Sequence, residues 1–128
     1  MGEEKGSGVS VDVLNPVTIE QRIRDISNRI AKSAGVCNER YIAFLTADRE
    51  YDQAFASAYM VHEGAAHEKK YAAEMATLAE REARDVTDAA YKYADRLAKA
   101  LESELRAYQS IGASVRAMFG VAGRGEGS

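Results

Sequence analysis

Ile19, Ile23, Ile26 and Ile30 recur at steps of four, three and four residues. At about 100° per residue they fall within about 60° of one another on a helix wheel, which predicts an amphipathic helix with a coiled-coil seam. Pro16 suits a first helical position, and Thr18 stands three residues before Gln21, the spacing of a capping box. Ser33-Ala34-Gly35 predicts the end of this short helix, and Asn38 predicts the cap of a second. That second helix carries an aromatic stripe of Tyr41, Phe44, Leu45, Tyr51, Phe55 and Tyr59 and stops at Gly64.

From about Ala66 to Phe119 the chain has no proline and a single glycine, Gly112, amid Ala, Glu, Lys, Arg and Leu, which predicts one long C-terminal helix. Its length would be on the order of 80 Å, more than a compact globule of this mass encloses, so it must protrude or zip against other helices. Tyr93, Leu97, Leu101, Leu105, Tyr108, Ile111, Val115 and Phe119 fall within about 120° on the wheel and predict the oligomer interface. Residues 1–15 and the Gly-rich 120–128 read as flexible tails. The expected protein is all-α, with residues 16–119 forming one helical, oligomerising domain.

Composition sharpens this picture. Of 128 residues 46% are hydrophobic, but 23 are alanine, so little bulky side chain is present and the core should be thin. Small domains bury a low fraction of their surface, and a chain short of large apolar groups finds the missing area in another copy of itself. No stretch approaches the roughly 20 uncharged apolar residues of a membrane span. The opening Met1-Gly2-Glu3-Glu4-Lys5 lacks the basic and apolar pattern of a secretory signal, so the expected location is the cytoplasm. The lone Cys37 has no partner for an internal disulfide or a zinc site.

The net charge is −3, so no global positive field draws in phosphates, and any contact with nucleic acid must be local. By segment, residues 1–35 carry five basic and five acidic groups, 36–65 two and five, and 66–119 nine and nine. Lys92, Arg96, Lys99 and Arg106 lie within about 80° on the face opposite the apolar stripe, which would suit a phosphate track. Asp88, Asp95 and Glu102 each precede one of these cations by four residues, an acid-first order that also makes the row a solvated ion-pair ladder. Asp48 and Asp52 share the wheel sector of Tyr41, Leu45, Phe55 and Tyr59. They are expected to face a core and pair with Arg or Tyr there, or to form an acidic and aromatic docking surface.

Nothing in the chain points to catalysis. His62 and His67 are five residues apart across Gly64, whereas a zinc-protease helix needs histidines four apart, so no metal is expected. Cys37 lacks an identifiable base, and Gly123-Arg124-Gly125 lacks the strand and helix of a dinucleotide loop, so no cofactor is expected either.

Val86-Thr87-Asp88-Ala89-Ala90-Tyr91-Lys92-Tyr93, Leu97, Ala100-Leu101, Leu105, Ser110-Ile111 and Arg116, with Lys70-Tyr71 and Glu74-Met75 before them, resemble the end of UvsY, the recombination mediator family of tailed phages. The resemblance spans about residues 66–119. It implies a small all-helical protomer that assembles into a ring. It also implies a function in exchange on single-stranded DNA, helping a recombinase replace a single-strand-binding protein. Where the family places a Lys and Arg pair for DNA, this chain has Ala54-Phe55-Ala56-Ser57-Ala58, so that site does not carry over. The candidates for phosphate contact are then Lys69 and Lys70 near the helix start and Lys92, Arg96, Lys99 and Arg106 along it, repeated by the oligomer. Tyr71 and Tyr91 are candidate stacking rings, with packing as the alternative. Two other readings use the same residues: a structural coiled-coil assembly protein of a virion, and an adaptor or inhibitor docking a host protein through the Tyr41 to Tyr59 face.

Overall fold

A computed structural model describes residues 15–127, with side chains through Gly120. The N-terminal tail before Asn15 and the side chains after Gly120 lie outside the described residues. Three helices follow one another: α1 (Pro16–Val61), α2 (Ala66–Ala76) and α3 (Leu78–Gly127). Among the described residues there is no strand, so the all-α class stands.

The helices are cut at different places from those the pattern predicts. Asn15, not Thr18, caps α1: its Oδ1 accepts from Val17 N at 2.8 Å and from Thr18 N at 3.4 Å, with Pro16 behind it. Asx side chains make strong caps, and proline at the first helical position gives up no hydrogen bond. The break predicted at Ser33-Ala34-Gly35 does not occur, and α1 runs for 46 residues. A helical glycine costs about 1 kcal/mol against alanine, too little to end a helix that packs on both sides of it. Asn38 is therefore an exposed interior residue rather than a cap.

The long C-terminal helix, in turn, is interrupted at Thr77. This residue is 2% exposed, its backbone leaves helical geometry (φ −119°, ψ 24°), and its Oγ1 donates to Ala73 O at 2.7 Å. A hydroxyl bonded back to the carbonyl four residues earlier competes with the helix's own ladder, and a buried one keeps that bond. Helix α3 then continues past Phe119 to Gly127.

The chain divides into two compact units. The first holds, of the described residues, 15–32 and 98–127, and the second Ser33–Leu97. In the first unit the start of α1 packs antiparallel on the end of α3, around buried Ile19, Ile26 and Val115. The two helices come close at Gly112, itself buried, where a Cβ would stand 3.2 Å from Ile19 Cγ2 and 3.9 Å from Ile23 Cδ1. A residue without Cβ lets the backbones meet closely enough to cover Ile19, the largest fully buried side chain.

In the second unit the buried apolar residues are Ala47, Ala73 and Ala94, so the core there is as thin as the alanine content implies. Tyr41 meets Tyr91 with ring centroids 5.1 Å apart, and Arg40 Nη1 donates to Ala90 O at 3.3 Å, again joining α1 and α3 antiparallel. Residues 62–65 turn α1 into α2 through Gly64, whose φ of +141° is closed to side chains. Glu68 Oε2 reaches back to accept from Ala65 N at 3.3 Å and would lie 2.7 Å from a Cβ on Gly64.

Candidate nucleic-acid interface

The six cations predicted for phosphate contact do not form one site. Lys69 is half-buried with Nζ 5.6 Å from the Tyr59 ring centroid, a cation–π contact that joins α2 to α1. Lys70 is exposed. Lys92 Nζ lies 3.0 Å from Asp88 Oδ2, one rung of the ladder that its spacing predicts. Arg96 and Lys99 are exposed, and Arg106 Nη2 donates to Ser103 Oγ at 3.2 Å.

The aromatic stripe of α1 is occupied by its own chain. Arg84 on α3 stands 4.6 Å from the Tyr51 ring centroid and 4.0 Å from Asp48 Oδ1, and its Nη2 donates to Asp85 Oδ1 at 3.4 Å. Phe55 lies between Tyr51 and Tyr59, at 6.0 and 6.5 Å centroid separations. Asp48 thus has the Arg partner expected of it. Asp52 differs from expectation: it is exposed, although Leu45 and Tyr59 on either side of it on the helix wheel are half-buried, so a wheel sector alone does not fix burial along so long a helix. Tyr91 packs on Tyr41, whereas Tyr71 is 63% exposed.

The eight residues predicted for the oligomer interface divide by environment. Val115 is buried and Leu101, Leu105 and Tyr108 are half-buried within the first unit. Tyr93 (57%), Leu97 (47%), Ile111 (37%) and Phe119 (58%) are exposed. Val86 joins Tyr93 and Leu97 in the second unit as a row within about 40° on the wheel, and Met118 flanks Ile111 in the first. These rows are apolar surface that the folded chain leaves uncovered.

Among the described residues no group of three or more His, Cys, Asp and Glu is placed to hold a metal ion. His62 and His67 are exposed and Cys37 is a half-buried free thiol. No helix among the described residues is long and apolar enough to cross a membrane.

Charge, by contrast, separates along the fold. The second unit carries eight Lys and Arg against twelve Asp and Glu, a net −4. The described residues of the first unit carry eight against five, a net +3. Counting along the sequence conceals this, because the net −2 of residues 1–14, together with Glu20 and Asp25, offsets the cations of Arg22, Arg24, Arg29 and Lys32. Dividing the count at the start of the Ile19 helix rather than at the first residue would have exposed it. No protein-family model matches the chain, and neither curated proteins nor solved structures yield a match to it.

Proposed function

We propose that this protein is a non-enzymatic, homo-oligomeric mediator that binds single-stranded DNA and helps a recombinase displace a single-strand-binding protein, working in the cytoplasm of a phage-infected bacterium. The observation that carries this reading is the separation of charge. In a chain of net −3 the described helical residues of the first unit carry net +3, or +1 once residues 1–14 are counted with them, against −4 in the second unit, which offers phosphates a local field that the whole-chain charge hides. The exposed rows of Val86, Tyr93 and Leu97 and of Ile111 and Met118 favour self-association, which would repeat the cationic unit several times.

Fluorescence anisotropy of a labelled oligothymidylate, with duplex beside it, tests the reading. Single-strand binding should tighten as salt is lowered, with a negative slope of log affinity against log salt of roughly 0.7 per phosphate contact, and should exceed duplex binding. A protein that ignores the single strand at low salt is not a mediator. The same apolar rows favour a second reading, a structural coiled-coil assembly protein, in which the multimer forms and no nucleic acid binds.

A further inference from the structure

We infer that the single strand is held in a groove of the first unit, on Arg22, Arg29 and Lys32 of α1 with Tyr108 of α3 as the stacking ring. The inference rests on the reading of the protein as a single-strand binder and assigns the site that this binding uses. The groove has a volume of about 490 Å³, and Asp25 and Glu104 complete its charged lining. Arg22, Arg29 and Lys32 fall within about 80° on the helix wheel and extend over roughly 15 Å of α1, a run on which consecutive phosphates can rest.

Three features distinguish these cations from those on α2 and the first half of α3. None of the three is held in an ion pair among the described residues, whereas Lys92 is paired with Asp88 and Lys69 is seated on Tyr59. They belong to the unit whose described residues carry net +3, whereas Lys69, Lys70, Lys92 and Arg96 belong to the unit of net −4, which repels a polyanion. They flank a half-buried tyrosine, and single strands bind by combining backbone charge with base stacking on such rings. Asp25 on the α1 wall accepts from Gln21 Nε2 at 3.1 Å and keeps its charge, and Glu104 is the exposed acid on the opposite wall. The groove on the other flank of the unit is poorer: it has Arg24, which donates to Gln21, and Arg116, beside Glu20.

Glu104 makes the test two-sided. The full-length protein carrying Arg22→Gln, Arg29→Gln and Lys32→Gln should bind labelled oligothymidylate on the order of tenfold more weakly, with the salt slope reduced by about two. Glu104→Gln removes the opposing charge and should bind a few-fold, roughly threefold, more tightly, a gain that loss of folding cannot produce. Lys92→Gln with Arg96→Gln should change affinity by less than about twofold. If the parent binds while the triple variant and Glu104→Gln both stay within about twofold of it, this groove is not the site and the proposed function stands. If the parent does not bind, the proposed function and the site fall together.

Discussion

Gly112→Leu is expected to separate α1 from α3 across the first unit. A Cβ at that position already comes within 3.2 Å of Ile19 Cγ2, tighter than ordinary van der Waals contact, and a leucine places three more carbons in the same space. Ile19 has nowhere to yield, since it is 1% exposed and branched at Cβ, which leaves it few rotamers. Overpacking of this kind costs about 3 kcal/mol, a large part of the stability of a small helical protein. Urea unfolding followed by circular dichroism should show the midpoint fall sharply, or an early transition for this unit. Gly112→Ala separates sterics from helix propensity. Alanine gains about 1 kcal/mol as a helix former and loses a similar amount to the 3.2 Å contact, so its midpoint should barely move. An unchanged midpoint for the leucine variant would mean that the helices do not meet at Gly112.

The second large effect is on association. The proposed multimer covers the row of Val86, Tyr93 and Leu97, and Tyr93→Glu with Leu97→Glu should dissolve it. Each of the two side chains is about half exposed in the folded chain, so covering the rest of it contributes about 1 kcal/mol. In a symmetric contact each counts twice, and the four contributions amount to about 4 kcal/mol, close to a thousandfold in dissociation constant. Burying the new carboxylates would add a further penalty. Light scattering should then report a protomer of 13.9 kDa at concentrations where the parent is a multimer. Helicity by circular dichroism should be retained, because neither side chain belongs to the buried core. A variant that keeps the parent's mass would place the interface elsewhere.

These two variants also mark what was legible in the sequence. The isoleucine seam is where it was expected, with Ile19 and Ile26 buried, because a period near 3.6 survives whatever a helix packs against. Helix ends were less legible. Gly35 lies in open helix surface with nothing within 4 Å of its Cβ position, so its cost stays local and the helix passes through. Thr77 carries no breaking signal as a residue type. It interrupts the chain because burial turns its hydroxyl onto Ala73 O, a tertiary effect that spacing cannot show. The stripe from Tyr93 to Phe119 runs from the second unit into the first, so Leu97 and Val115, at the same angle on the wheel, meet two environments. Val115 faces α1, and Tyr93 and Leu97 face solvent.

The candidate cations divided for a related reason. Acid-first spacing marked Lys92 as part of a ladder, and Asp88 does hold it at 3.0 Å. The cations of α1 are not legible in the sequence, because Arg22, Arg29 and Lys32 share a groove with Tyr108 and Glu104, some eighty residues further along the chain. Charge counted by folded unit, rather than by stretch of sequence, is the signal that finds them.

In the proposed function, a multimer of this chain carries single-stranded DNA. The most direct test is size-exclusion chromatography with light scattering on the full-length protein mixed with labelled oligothymidylate in low-salt buffer. The predicted result is the label eluting with a protein peak of several times 13.9 kDa and leaving it when the salt is raised. Label that elutes apart from the protein at low salt, or a protein peak at the mass of one protomer, would contradict it.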